Sequence, residues 1–290
     1  MYKAIAANKR NTFLIMAVFV GIISAIGYIV SIFYGNTSIT WWVIGAAAVY
    51  ALIQYFAAGA LAVAMTGAHE IQKRDNPRLY RVVENLSITL GMPMPKVYII
   101  EDPAPNAFAT GRDPKHAIVA ATTGLIDIMD DRELAAVMAH EMGHVQNYDI
   151  RVSMIAFGLV SAIGILSDFV IRMLFFGGDN RNSNPLILVI GIVVIILAPI
   201  VAAIVQMAIS RQREYLADAT GAMTTRDSDG MASALGKLQM YGKPMQKQQS
   251  ATAQLFISNP LKPGFFSKLF SSHPPLEDRI KRLRDNASKF

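Results

Sequence analysis

The stretch His140-Glu141-Met142-Gly143-His144 decides how the rest of this chain reads. Two histidines four apart share one face of an α-helix, one turn above each other. That spacing lets both imidazoles reach a single Zn²⁺, while Glu141, one step on, faces water on the metal. The chemistry indicated is metal-assisted hydrolysis, with zinc acidifying the water and the carboxylate taking its proton. The chain has five His and seven Glu among its 290 residues. Chance alone would produce such a motif in about 0.2% of chains of this composition, so two solvated histidines on an ordinary helix is the weaker reading.

The flanks support a helix. The run Asp130–Ala139 is rich in good helix formers, and Asp130 with Glu133 has the form of a capping box. Leu134, Val137, Met138 and Met142 recur at helical spacing, which predicts one apolar face for packing. Gly143 costs helix stability relative to alanine, which implies that something passes close to the backbone there.

Hydrophobic residues make up 53% of the chain and charged ones only 17%, with a mean hydropathy of +0.35. Thr12–Phe33 is a run of 22 residues without a charge, long enough to cross a bilayer core. Lys3, Lys9 and Arg10 precede it as in a signal peptide, but the apolar run is too long and no convincing cleavage site follows, so a retained anchor is expected. Trp41–Met65 is a second uncharged span, opened by tandem tryptophans as an interfacial anchor. Leu186–Val205 is a third, in which Pro199 is tolerable. Met154–Phe176 carries Asp168 and Arg172 at i,i+4. It reads either as a true span paired with the next one or as a short helical hairpin partly outside the lipid.

Basic residues orient these spans. The Tyr34–Thr40 loop has none, the N-terminal tail has three, Thr66–Val152 has nine and the region after Val205 has thirteen. The positive-inside rule then puts both termini and the motif in the cytoplasm. The net charge of +6 is accounted for by basic flanks facing anionic lipid and calls for no nucleic acid. No cysteine is present, which excludes disulfides and thiolate zinc ligands. Gly242–Gly264, rich in Gln, Ser, Lys and Pro, reads as a mobile loop.

A catalytic zinc site takes three protein ligands and keeps one position open. Beyond the motif only three histidines remain, so a carboxylate is the natural third ligand. The helical-looking segment Ser210–Ala219 offers Glu214 and Asp218 on one face. With a hairpin tip at Asn180, His144 lies 36 residues before it and Glu214 lies 34 after it. Both arms would then be about 50 Å long, and an antiparallel pair would return Glu214 to the level of His144. Glu214 is therefore the expected third ligand, and Asp218 the acceptor for the free N–H of a zinc-bound imidazole. The competing reading pairs both acids with Arg211 and Arg213 on a solvated face.

The motif, the later Glu214-Tyr215-Leu216-Ala217-Asp218 and the order of four apolar segments together resemble the HtpX-type membrane zinc metallopeptidases, relatives of the prenyl-protein processing proteases. The resemblance covers nearly the whole chain. It implies that His140, His144 and Glu214 bind one Zn²⁺, that Glu141 is the general base, and that the site faces the cytosol of a bacterial or archaeal cell. It also implies a role in quality control, cleaving misfolded or damaged membrane proteins. Two weaker stretches follow the same pattern. Asn106, Ala107, Phe108 and Ala109 lie between the strand-like runs Val97–Ile100 and Ala117–Ala121, as an edge strand that would hold substrate backbone by strand addition. The competing reading is an Asn-containing turn with a buried Phe. Near the C-terminus, His273 or Arg279 could stabilise the oxyanion on the scissile carbonyl, or be a turn histidine and a surface arginine. His69 and His116 have no partner at ligand spacing.

The expected architecture is a mainly α membrane protein, with about four membrane helices and a cytosolic α/β zinc-peptidase domain whose small sheet packs on the motif helix. Residues 1–66 form a membrane hairpin, 67–153 a catalytic part, 154–207 a second hairpin, and 208–290 a cytosolic part with the third ligand. The partners are polypeptide substrates and the lipid bilayer. Two other classes stay open: a zinc hydrolase of a non-peptide amide, and a membrane scaffold or holdase with a vestigial site.

Overall fold

The structure, a computed structural model, describes residues 2–156, 158, 162, 211–247, 252–261 and 274–287. The expected span Leu186–Val205, nearly all of Met154–Phe176, the hairpin tip at Asn180, and His273 lie outside the described residues. The chain divides into two compact units. One comprises Met1–Lys9, Gly59–Ser153 and Ile209–Phe290, the other Arg10–Ala58 and Met154–Ala208.

Two long helices open the chain, α1 (Tyr2–Tyr34) and α2 (Ser38–Thr66). Among the described residues these two are long and apolar enough to cross a membrane, over Ile5–Ile32 and Ser38–Ala57. Within the second unit Gly27 lets them touch, since a β-carbon there would stand 2.7 Å from the Val43 side chain. Phe19 packs on Tyr50, whose hydroxyl donates to the Gly158 carbonyl (2.8 Å). The outward faces are strongly apolar: Phe13, Ile32 and Phe56 are exposed, and Trp41 and Trp42 are 74% and 80% exposed. A water-soluble helix pair would bury such side chains, whereas lipid solvates them.

The first unit holds a four-stranded sheet of order β1-β2-β4-β3. Its strands are β1 (His69–Glu70), β2 (Lys96–Ile100), β3 (Ala107–Gly111) and β4 (Ala117–Thr122). β2 and β4 run parallel, with Val97 beside Val119 and Ile99 beside Ala121, and the outer pairs are antiparallel. Alternate residues of β2, β3 and β4 therefore face one core, the period of two that a strand imposes. Helix α3 (Pro77–Leu90) closes over that core with Leu79 and Val83. It starts where the Asn76 side chain accepts from the Leu79 amide and Pro77 opens the first turn. After the short α4 (Thr123–Ile128) comes α5 (Asp131–Gln146), the motif helix, which packs on β3, α3, α6 (Arg211–Thr225) and α7 (Ser228–Tyr241). Helix α8 (Leu276–Asp285) lies against α7 and α6.

One loop differs from expectation. Within Gly242–Gly264, the described residues 252–260 are built into the unit. Phe256 bridges to Phe108, their rings stack edge to face at 5.2 Å, and the Ile257 amide donates to the Ala107 carbonyl (2.9 Å). Composition reads this stretch as loop because Gln, Ser and Pro outnumber apolar residues, but Phe256 and Ile257 suffice to bury it.

Candidate active site

Helix α5 begins under a capping box. Asp130 Oδ1 accepts from the Glu133 amide and Glu133 Oε2 accepts from the Asp130 amide, each at 2.9 Å. Leu134, Val137, Met138 and Met142 turn into the core, which sets the rotation of the helix and brings His140 and His144 to the side that meets α6. The two helices cross at close range. A β-carbon on Gly143 would meet Thr220 at 3.4 Å, and one on Gly221 would stand 3.2 Å from the His140 amide nitrogen. The neighbour implied by Gly143 is therefore α6, and the close crossing lays Glu214 against both imidazoles.

His140 Nε2 and His144 Nε2 stand 3.2 Å apart. Glu214 Oε2 lies 3.7 Å from the first and Oε1 3.5 Å from the second. The opposite ring nitrogens are already committed. His140 Nδ1 lies 2.9 Å from Asp218 Oδ1, and His144 Nδ1 lies 3.1 Å from Asp149 Oδ2. With each Nδ1–H donated to a carboxylate, both Nε2 atoms present lone pairs to one another and to a third carboxylate. Such a triangle repels itself unless a cation sits within it. Ligands on a tetrahedral ion at about 2.0–2.2 Å stand about 3.3–3.5 Å from each other, so the three groups fit a zinc ion.

The electrostatics of the two rings differ. Burial pushes the His140 imidazole down to about 4, with Asp218 opposing, so the ring is neutral near pH 7 as a metal ligand must be. Burial would also lower His144, but the carboxylates of Glu214 and Asp149 outweigh it and lift the ring to about 9. Near pH 7 that ring therefore carries a second proton on Nε2, which must leave before His144 can act as a ligand. Asp218 is fully enclosed, which would raise its carboxyl, yet Arg279 and His140 hold it down to about 2. Arg279 is itself 0% exposed and grips Asp218 bidentately, Nε to Oδ2 at 2.8 Å and Nη2 to Oδ1 at 2.6 Å. Glu141 is buried, and its charge acts on both His144 and Arg279.

A family model, peptidase family M48, matches residues 73–287. The chain belongs to peptidase family M48. Curated M48 relatives share its full length. A protease HtpX homolog of Tropheryma whipplei (strain Twist) is 57% identical over 291 residues, covering 100% of both chains. A protease HtpX homolog of Streptococcus gordonii is 41% identical over 297 residues, covering 98% of this chain and 99% of the relative. The crystal structure of S. mikatae Ste24p shares the fold, with a TM-score of 0.52 at 20% identity, over 98% of this chain and 67% of that one. This M48 member is a metalloprotease, a hydrolase acting on peptide bonds.

The M48 chain gathers His140, Glu141, His144, Glu214, Asp218 and Arg279 in one place, while His273 is outside the described residues. Arg279 reaches the site as the buried partner of Asp218, with Nη1 3.7 Å from Glu214. Asn106–Ala109 are buried, and the outer edge of β3 near Asn106 and Ala107 is not open. Asn106 Nδ2 donates to the Ser258 carbonyl (2.8 Å) and its Oδ1 accepts from the Ser258 amide (3.1 Å). Sequence reasoning missed Asp149. Five residues after His144 it is too far along for a helical neighbour, and only Tyr148, at φ 61°, folds it back.

Proposed function

We propose that this chain is a membrane-anchored, zinc-dependent endopeptidase that cleaves misfolded or damaged membrane proteins at the cytosolic face. The observation that carries the reading is the convergence of His140, His144 and Glu214, ligand atoms within 4.8 Å of one another, with both histidines backed by carboxylates. These three residues would hold one Zn²⁺, whose Lewis acidity lowers the pKa of water and polarises a peptide carbonyl. Glu141 takes a proton from the attacking water as the new C–O bond forms. It returns that proton to the amine as the C–N bond breaks, so the leaving group departs neutral. Asp218 and Asp149 keep each imidazole in the tautomer that points Nε2 inward. Arg279 neutralises Asp218 and thereby keeps that carboxylate from adding to an already electron-rich pocket.

Membrane insertion rests on the length of α1 and α2 and on their exposed apolar faces. The distribution of Lys and Arg supports cytoplasmic termini. An extended substrate would add to the edge of β3 only beyond Ala107 and Phe108, where residues 256 and 257 already pair. The test is cleavage of an unfolded polypeptide by the detergent-purified full chain, with and without Zn²⁺, beside Glu141→Gln. Zinc-dependent fragments that vanish in the variant are the expected result. Undiminished cleavage by Glu141→Gln would refute the assigned base, and zinc binding without any peptide cleavage would point to another amide substrate. For the substrate class, faster loss of destabilised membrane proteins than of folded soluble ones is expected, and equal rates would reject it.

A further inference from the structure

Asp149 has two carboxylate oxygens, and they face different partners. Oδ2 meets His144 Nδ1 at 3.1 Å, while Oδ1 accepts from Asn8 Nδ2 at 2.7 Å and lies 3.7 Å from Arg213 Nη1. The same Asn8 amide group also donates to the Asn147 carbonyl at 2.9 Å. Asn8 is only 6% exposed, so these bonds lie out of water, where their loss is costly. Between the two acceptors sits Tyr148, which holds a left-handed φ of 61° that a non-glycine residue rarely adopts. Something must hold that turn. Lys9 Nζ lies 4.5 Å from the Tyr148 ring centroid, and the Arg151 guanidinium 4.9 Å.

From these contacts we infer that Asn8 is a positioning residue for the metal site. It clamps the Asn147–Asp149 turn so that Asp149 orients His144, and Lys9 braces the turn through Tyr148. Asn8 belongs to the same compact unit as the motif helix, yet it lies far outside the matched family region, which begins at residue 73. It also lies within α1 itself, four residues before the uncharged run opens at Thr12. The catalytic unit is therefore incomplete without the first nine residues: an M48 region cut out at residue 73 keeps all three ligands and loses the support of one.

The inference rests on His144 being a metal ligand, and the experiment separates the two. Zn²⁺ affinity of the detergent-solubilised full chain is measured by competition with a chromophoric chelator, for wild type, His144→Ala, Asn8→Ala, Asn8→Asp, Asp149→Asn and the Asn8→Ala/Asp149→Asn double variant. A wild type whose zinc binding is untouched by His144→Ala would sink the ligand assignment itself. With that assignment standing, Asn8→Ala is expected to weaken Zn²⁺ binding about tenfold, the low end for groups that support a ligand. Asn8→Asp, isosteric but anionic against Asp149, is expected to weaken it further. The double variant is expected to bind no more weakly than Asp149→Asn alone, because Asn8 acts through Asp149. Peptide turnover by Asn8→Ala at saturating zinc should show a lower kcat at unchanged KM. Wild-type affinity in Asn8→Ala, equal losses for Ala and Asp, or additive losses in the double variant would each overturn the proposal. If Asn8→Ala fails to fold, the Asn8→Asp and Asp149→Asn comparison decides it alone.

Discussion

A β-carbon on Gly221 would stand 3.2 Å from the amide nitrogen of His140, so the helix that carries Glu214 rests directly on the backbone that carries the first histidine. The site owes its dimensions to this contact. Glu214 reaches both imidazoles because α6 lies nearer to α5 than two helices with ordinary side chains at the crossing could lie.

Gly221→Val should therefore push α6 away and open the triangle. The expected outcome is a loss of about 1–3 kcal/mol in stability from overpacking, together with weaker zinc binding. Gly143→Ala, whose β-carbon would meet Thr220 at 3.4 Å, should be neutral or gain up to about 1 kcal/mol from helix propensity. Thermal unfolding with and without zinc separates the two. Equal behaviour of the variants would argue against the close crossing.

Asp218→Asn should raise the zinc dissociation constant about 10- to 100-fold by replacing the anionic acceptor that orients His140 with a weaker, neutral amide. Both substitutions remove the charge that offsets buried Arg279, and Asp218→Ala, which also leaves Arg279 without its hydrogen-bond acceptor, should cost about 3–5 kcal/mol in stability. Chelator competition reads the first effect and denaturant unfolding the second.

Glu133 couples stability to pH. Burial would raise its carboxyl, but the Lys237 ammonium at 2.6 Å and the Ser233 hydroxyl at 2.7 Å hold it below its ordinary 4.5. A depressed folded-state pKa contributes stability above pH 4.5 that drains away as pH falls through the lower folded value. Glu133→Gln should cost about 1–3 kcal/mol at pH 7, and the gap to wild type should narrow below pH 4. A gap that stays constant between those conditions would mean that the charge contributes nothing.

Phe256→Ala should cost about 3–4 kcal/mol, because its ring is buried against Phe108. A surface loop would tolerate the change within about 0.5 kcal/mol. Unfolding of the full chain in detergent distinguishes the two.

Local signals carried most of the helical reading. The Asp130 and Glu133 capping box, the apolar face of α5 and the strands around Val97 and Val119 all depend on residues a few positions apart, and the structure has them where the spacing puts them. Asn106–Ala109 shows the limit of such reading. Family resemblance suggests an edge strand there, but whether its outer edge is open depends on Phe256, about 150 residues away in sequence.

By itself the sequence determined the chemistry on offer: two imidazoles one helical turn apart, a carboxylate beside them, a distant Glu and Asp at i,i+4, and apolar runs long enough for a bilayer. Tertiary structure alone decided what surrounds those groups. Asp149 reaches His144 through a left-handed Tyr148, Arg279 enters as a buried counter-charge to Asp218, and Asn8 returns from the N-terminus to hold Asp149. The physical reason is range. Periodicity and capping follow from backbone geometry within one or two turns, whereas a buried hydrogen bond between residues 8 and 149 is chosen by packing of the whole unit, and no local pattern encodes it.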